Sequence, residues 1–116
     1  MAAVFIRVQT LGATYIALTP PAVKLKDQAT GEIATDRASG ENLYTVQLAE
    51  TVDGRAQVIK VTLAESKLPK GLVLGAVVHP ENLVASPWAR IFNGQLSDGV
   101  TYRADGLAPA AAVPAK

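Results

Sequence analysis

Turn signals that recur at short spacing are the feature that most constrains the fold of this chain. Aspartate, asparagine, proline and glycine are concentrated in short clusters at residues 27–31, 36–40, 53–54, 69–71, 93–94 and 98–99. Short runs of β-branched or alternating residues separate these clusters, and no window has a long helical period. Because short strands between frequent turns are typical of antiparallel meanders and small barrels, the sequence predicts an all-β protein with little helix.

The clearest predicted hairpin turns at Val52-Asp53-Gly54, which joins Leu43–Thr51 to Arg55–Leu63. An Asp-Gly pair supplies the positive φ angles that tight hairpin turns require. Apolar and polar residues alternate on both strands. We therefore expect one face of the hairpin to be buried and the other, which carries Lys60, to face solvent.

Weaker signals predict strands before this hairpin. Lys24–Thr35 is expected to form a first hairpin with its tip at Asp27 to Gly31, and alternation places Lys24 and Lys26 towards solvent. Val4–Val8 is expected to add one more strand near the start of the chain.

Two features are predicted after the hairpin. A last strand at Val100–Ala104 is expected to bury Val100, Tyr102 and Ala104 by parity and to expose Thr101 and Arg103. The most apolar run is interrupted at His79-Pro80. Because proline cannot donate to a ladder, an edge, bulge or break is expected there.

Composition predicts one compact domain between two less regular segments. The 116 residues are 49% hydrophobic and 18% charged, which suits a single core. Residues 1–21 form an apolar lead, residues 22–107 the barrel domain, and residues 108–116 an Ala/Pro tail that is expected to be disordered. The chain has no cysteine, which suits a cytoplasmic location. The lead has no positive residues ahead of its apolar ones, so neither a signal peptide nor a membrane span is predicted.

The sequence has no residue pattern typical of catalysis. His79 is the only histidine, has no cysteine partner, and is interpreted as structural. Gly71 and Gly75 are not followed by the Gly-Lys-Ser/Thr of a phosphate loop. We therefore predict that the chain is not an enzyme and binds no cofactor or metal.

A basic stripe is the first candidate for a binding surface. Alternation along the predicted strands places four cationic side chains towards solvent: Lys24, Lys26, Lys60 and Arg103. If the strands are neighbours, these side chains form a surface that can hold nucleic-acid phosphates. Outward lysines also keep sheet edges from pairing with other chains, so a purely solvated face remains the alternative. The net charge of +1 is far below that expected of a tight duplex-DNA binder.

Trp88 is the second candidate, because it is the only tryptophan and has Arg90 two residues further on. It is either a core plug or a platform on which a planar ligand stacks. Phe92 either closes the end of the barrel or extends the aromatic margin beside Trp88.

Several motifs within residues 22–107 resemble one group of small proteins. The motifs are Val23-Lys24-Leu25, Thr30-Gly31-Glu32, Asp36, Tyr44-Thr45-Val46, Asp53-Gly54, Pro69-Lys70-Gly71, Pro87-Trp88 and Tyr102-Arg103-Ala104. Their spacing is similar to that of small proteins encoded by conjugative plasmids and integrative elements of actinobacteria. The layout also resembles the oligonucleotide-binding (OB) barrel, which implies five or six antiparallel strands. The apolar lead and His79-Pro80-Glu81-Asn82 depart from this pattern.

The resemblance implies a plasmid-maintenance or transfer protein that handles single-stranded DNA. With the stripe and the aromatic residues, it predicts binding with little sequence preference. The predicted phosphate contacts and stacking rings are Lys24, Lys26, Lys60, Arg90 and Arg103, with Trp88 and Phe92. Because a nearly neutral monomer should bind single-stranded DNA with only modest affinity, we expect the protein to act as a homo-oligomer. The alternative is a non-catalytic interaction or assembly domain of a plasmid or phage, which exposure of Val4-Phe5-Ile6 would favour.

Overall fold

The structure, a computed structural model, describes residues 4–27 and 29–109. Within these ranges it contains eleven strands and a single 3-10 turn at Glu65–Lys67. The strands are β1 (Ile6–Arg7), β2 (Thr14–Ala17), β3 (Ala22–Val23), β4 (Leu25–Asp27), β5 (Glu32–Ile33), β6 (Leu43–Val52), β7 (Arg55–Ala64), β8 (Val77–Glu81), β9 (Val84–Phe92), β10 (Gln95–Arg103) and β11 (Gly106–Pro109). The prediction of an all-β fold with little helix is confirmed.

Nine of the described strands form one curled sheet with the shape of a half-barrel. Eight of them follow the order β1-β9-β10-β7-β6-β2-β8-β11, and β3 pairs with β6. The pairing of β10 with β7 is parallel, whereas the other pairings are antiparallel. The strands are more numerous than the five or six that were predicted.

The predicted hairpin is present as β6 and β7, and it lies at the centre of this sheet. Asp53 and Gly54 have φ angles of 52° and 76°, which are those of a two-residue type I′ turn. The inward side chains of both strands form the core with a parity that the sequence predicted. They are Val46, Leu48, Ile59, Val61 and Leu63.

The lead contributes to the core through β2, a strand that the sequence did not indicate. Tyr15 is only 1% exposed and Ala17 is fully buried. β2 pairs with β6 on one side and with β8 on the other, so these residues lie inside the sheet. Closer to the start of the chain, the predicted strand at Val4–Val8 is present as the shorter β1.

Strand β8 continues through His79 and Pro80 without a break, and of the predicted alternatives the edge is observed, because among the described residues only one side of Pro80 has a partner strand. The ladder between β2 and β8 covers only Val77 and Val78, and Pro80 lies beyond it. Pro80 is fully buried opposite Leu107 of β11. A missing N–H is tolerated on the side where no partner strand runs, which explains the continuity.

The predicted first hairpin exists but lies outside the main sheet. β4 and β5 form a separate two-stranded sheet in which Leu25 pairs with Ile33. At the other end of the chain, β11 includes Ala108 and Pro109, the first two residues of the predicted tail. The rest of that tail, residues 110–116, lies outside the described residues.

Strands β9 and β10 form a long hairpin that leaves the sheet. They pair along their whole length, from Val84 opposite Arg103 to Phe92 opposite Gln95. Of the residues of this hairpin, only Val84 and Ala85 pair with β1, and only Tyr102 and Arg103 pair with β7. Residues 86–101, which we call the arm, therefore have no strand partner other than each other among the described residues.

The arm makes the molecule elongated. The principal axes measure 50 × 29 × 24 Å, and the radius of gyration is 15.1 Å against about 13 Å for a compact domain of this length.

Within the last predicted strand, Ala104 is buried and Tyr102 packs against the core, as expected. The prediction that Val100 is buried is wrong, because this residue lies on the arm and is half exposed.

No helix within residues 4–27 and 29–109 has the length and apolar character needed to cross a membrane.

Candidate nucleic-acid interface

Three cations lie close together on the outer face of the main sheet, opposite the core. Arg103 pairs with Thr62 across β10 and β7, and Lys60 lies two residues before Thr62 with the same parity. Lys24, between β3 and β4, donates a hydrogen bond from Nζ to Thr62 Oγ1 at 3.3 Å. Because adjacent strands are about 4.8 Å apart and alternate residues about 7 Å apart, the backbone positions of Lys60 and Arg103 lie within roughly 10 Å of each other. We call Lys24, Lys60 and Arg103 the basic cluster.

Lys24 is the most perturbed member of the basic cluster. Burial lowers the pKa of its ammonium group, and the nearby charges of Arg103 and Lys60 lower it further. The side chain is half-buried, so the expectation that it faces solvent is wrong in part. A cation that is partly desolvated and repelled by two others is stabilised when an anion approaches.

Arg103 is partly neutralised by an acid. Its Nη2 lies 2.8 Å from Oδ1 of Asp36, and the other carboxylate oxygen of Asp36 accepts a hydrogen bond from the hydroxyl of Ser39 at 2.9 Å. The hydrogen bond from Arg103 is the main reason that the pKa of Asp36 is lowered. The guanidinium remains about half exposed, so an anion can still reach it.

The remaining predicted lysine lies elsewhere. Lys26 belongs to β4, outside the main sheet, and its Nζ lies 3.7 Å from Oε2 of Glu32. It is therefore paired with an acid and is not a member of the basic cluster.

A cavity of about 520 Å³ opens beside the basic cluster. Its lining includes Lys24, Thr62, Arg103 and Phe5. Phe5 precedes β1 on the edge of the sheet and is 71% exposed. Phe5 was not among the predicted stacking rings. In the sequence it stood out only as part of the apolar run Val4-Phe5-Ile6, which was considered as a surface for another protein.

Trp88 lies on the arm and is 40% exposed, so it does not plug the core. Its cross-strand partner is Gly99, and a Cβ atom at that position would lie only 2.9 Å from indole Cζ2. The indole therefore packs directly on the Gly99 backbone. The guanidinium carbon of Arg90 lies over the ring, 5.3 Å from its centroid.

The aromatic residues of the arm share a face with the basic cluster. Val84 pairs with Arg103, and Trp88, Arg90 and Phe92 have the same parity as Val84 along β9. Trp88 is four residues away from Val84, which is about 13 Å along a strand. Phe92 lies at the exposed tip beside the Asn93-Gly94 turn, so it extends this aromatic surface and does not close a barrel end.

His79 lines a different cavity, of about 640 Å³, with Arg7, Thr10 and Asp105. Of the residues predicted to contact nucleic acid, none lines this cavity. Among the described residues, no three His, Asp or Glu side chains are grouped closely enough to hold a metal ion.

The packing of Trp88 on Gly99 gives a direct spectroscopic prediction. Gly99→Ala should push the indole off the strand and shift its fluorescence emission to longer wavelength. We expect the free energy of unfolding to change by less than about 1 kcal/mol, because the arm is exposed. Ser97→Ala, on the same face of β10, is the control and should leave the emission unchanged. Identical emission spectra for Gly99→Ala and the wild type would contradict the described packing.

The chain matches no family model, no curated protein and no solved structure.

Proposed function

We propose that this protein binds single-stranded DNA with little sequence preference, through phosphate contacts at the basic cluster and base stacking on exposed aromatic rings. The proposal includes a cytoplasmic role in the replication or transfer of a plasmid or mobile element. It also takes the curled sheet to be a variant of the OB barrel, enlarged by β1, β2 and the arm. Lys26 is not included as a phosphate contact, because it belongs to the separate β4–β5 sheet and lies outside the basic cluster.

One observation carries this proposal: the basic cluster and three exposed rings occupy the same face of the sheet. Phe5 and the basic cluster line one cavity, and Trp88 and Phe92 continue the face along the arm. Cations that hold a phosphate backbone beside rings that stack on bases are the usual components of a single-strand binding surface. Arg90 lies over Trp88 on a flexible side chain, so it can move aside for a base and contact an adjacent phosphate.

The charge favours single strands over duplex DNA. The net charge is only +1, and Asp36 neutralises part of the basic cluster. Duplex binding depends mainly on neutralising many phosphates, whereas stacking on unpaired bases adds about 1–3 kcal/mol for each base. Exposed rings can therefore supply the affinity that the few cations do not.

Fluorescence anisotropy with a labelled thymidine oligomer tests the proposal. We expect binding at low salt that weakens as salt is raised, accompanied by quenching of Trp88 fluorescence. Failure to bind at low salt would rule out the proposed function. Salt-sensitive binding without quenching would retain the basic cluster and exclude Trp88 from the site.

A protein–protein interaction or assembly domain is the second candidate function. It is favoured by the exposure of Val4, Phe5 and Ile6, each of which has more than half of its surface in solvent. Large apolar side chains that remain exposed on a small domain often mark a surface for another protein. A wild-type protein that does not bind single-stranded DNA but does associate with itself would favour this candidate.

A further inference from the structure

A further cation, Arg7, lies on the face of the sheet that carries the basic cluster. Arg7 of β1 pairs with Val84 of β9, and Val84 in turn pairs with Arg103 of β10. Residues that lie directly opposite each other in a ladder have side chains on the same face of the sheet. Arg7 therefore shares the outer face with Arg103, although it was not among the residues predicted to contact nucleic acid.

The guanidinium of Arg7 is available to an anion. Its side chain is exposed, and the ion pairs within residues 4–27 and 29–109 join Lys26 to Glu32 and Arg103 to Asp36. Arg7 is thus not neutralised by a described acid, whereas Arg103 is partly neutralised. A guanidinium can donate two parallel hydrogen bonds to one phosphate, which makes arginine well suited to this contact.

The cavity that contains Arg7 adjoins the cavity beside the basic cluster. Lys24 and Arg103 line the cavity of about 520 Å³, and Arg7 lines the cavity of about 640 Å³. Three residues line both cavities: Asn82, Val84 and Asp105. The two cavities therefore meet along these residues and form one continuous depression, which we call the trough.

The trough continues the candidate interface away from the tip of the arm. Val84 is the first residue of β9, and Phe92, at the tip, is its last. These two residues are about 26 Å apart along the strand. The cavity of Arg7 is lined by residues that precede or begin β9, among them His79, Asn82 and Val84. A DNA strand that stacks on the arm and contacts the basic cluster therefore reaches Arg7 by continuing in the same direction.

An acid lies where the two cavities meet, and it constrains how a DNA strand can cross the trough. Asp105 Oδ2 accepts a hydrogen bond from Asn82 Nδ2 at 2.9 Å. Because a carboxylate repels a phosphate, a sugar or a base should pass over Asp105, with phosphates on either side. Arg7 and Arg103 line different cavities, so they are placed to contact different phosphates of one strand.

We infer that Arg7 binds a phosphate of single-stranded DNA beyond the basic cluster, and that the cavity of about 640 Å³ accommodates the nucleotide that carries this phosphate. The inference rests on the proposed function, and it extends the binding surface from the arm to the start of β9. It also adds one cation to a surface on which Asp36 offsets part of the charge.

Anisotropy titrations with a labelled thymidine oligomer of about 20 nucleotides test the inference, since this length exceeds the usual site of about 4–16 nucleotides. Arg7→Ala should bind about eightfold more weakly at roughly 50 mM salt, and the slope of log affinity against log salt should become shallower by about 0.7. Arg7→Lys retains the charge and should retain the slope. Arg55→Ala is the matched control, because Arg55 is also exposed but lies beside the β6–β7 turn. It should bind as the wild type does.

The outcomes separate this inference from the proposed function. A wild type that does not bind the oligomer would overturn both. A wild type that binds with the expected salt dependence, while a folded Arg7→Ala variant binds as tightly as Arg55→Ala, would overturn the inference alone. Circular dichroism establishes that the variants are folded.

Thiol labelling locates the DNA independently of Arg7 variants, because the chain has no cysteine of its own. Thr10 lines the cavity of Arg7, so saturating DNA should slow the reaction of Thr10→Cys with a maleimide. Val73→Cys is the control, because Val73 is exposed in the loop between the 3-10 turn and β8. Its labelling rate should not change when DNA is added. If bound DNA left the labelling of Thr10→Cys unchanged, the cavity would not hold a nucleotide and the inference would be wrong.

Discussion

Lys24→Ala/Lys60→Ala should bind single-stranded DNA about 60-fold more weakly than the wild type at roughly 50 mM salt, if each lysine contacts one phosphate. Both ammonium groups belong to the basic cluster, and neither makes an ion pair with a described acid. Each lost contact removes about 0.7 from the slope of log affinity against log salt, so the slope should become shallower by about 1.4. Anisotropy titrations at several salt concentrations measure both quantities.

Arg55→Ala/Lys70→Ala is the control for this experiment, because it removes the same charge from other parts of the surface. Arg55 has the opposite parity to Lys60 on β7, and Lys70 lies in the loop before β8. We expect this control to bind nearly as tightly as the wild type. Equal losses for the two double variants would mean that general charge, and not the basic cluster, determines the affinity.

Tyr15→Phe should lower the free energy of unfolding by about 1.5–3 kcal/mol, which is typical for a hydrogen bond to a charged group. The hydroxyl of Tyr15 donates to Oε2 of Glu50 at 2.6 Å, and Gln57 Nε2 donates to Oε1 at 2.7 Å. Glu50 is buried, so losing one donor leaves part of its carboxylate without a partner. Urea denaturation followed by circular dichroism measures the change. Tyr44→Phe is the control, because its hydroxyl makes no hydrogen bond to the residues that the structure describes.

The environment of Tyr15 also determines how the free energy of unfolding should depend on pH. Burial is the main cause that raises the pKa of Tyr15, and the hydrogen bond to Glu50 is the second. In the unfolded chain this phenol titrates near about pH 10. Because the pKa is higher in the folded state, the stability from protonated Tyr15 is fully present below about pH 10 and is lost as pH rises above it. Wild type should therefore lose stability faster than Tyr15→Phe in alkaline solution, and parallel curves would contradict this linkage.

The centre of the fold was predictable because its signals are local. Asp53-Gly54 specifies a tight turn, and alternation on either side then determines which residues pair and which face the core. β2 escaped prediction because four residues give little periodicity. Its burial depends on β6 and β8, which are distant in sequence.

The candidate site was less predictable, because its members come together only through long-range pairing. The parity of Lys60 and Arg103 was correct, but the contact between Lys24 and Thr62 joins residues 38 positions apart. Alternation on β9 and β10 indicates which face a side chain occupies, but not whether anything covers that face. For this reason Val100 was expected to be buried, and Trp88 could not be assigned to the surface.

The order of strands in the sheet also affects how the chain folds. β1 pairs with β9, which follows it only after most of the chain, and β2 lies between β6 and β8. Loop-closure entropy must be overcome before such distant contacts stabilise the chain, and proteins dominated by them fold in milliseconds to seconds. During synthesis the β6–β7 hairpin can form early and β2 can pair with β6, whereas β1 must wait for β9. The segment that contains β1 is therefore exposed longest to chaperones and to aggregation on the ribosome.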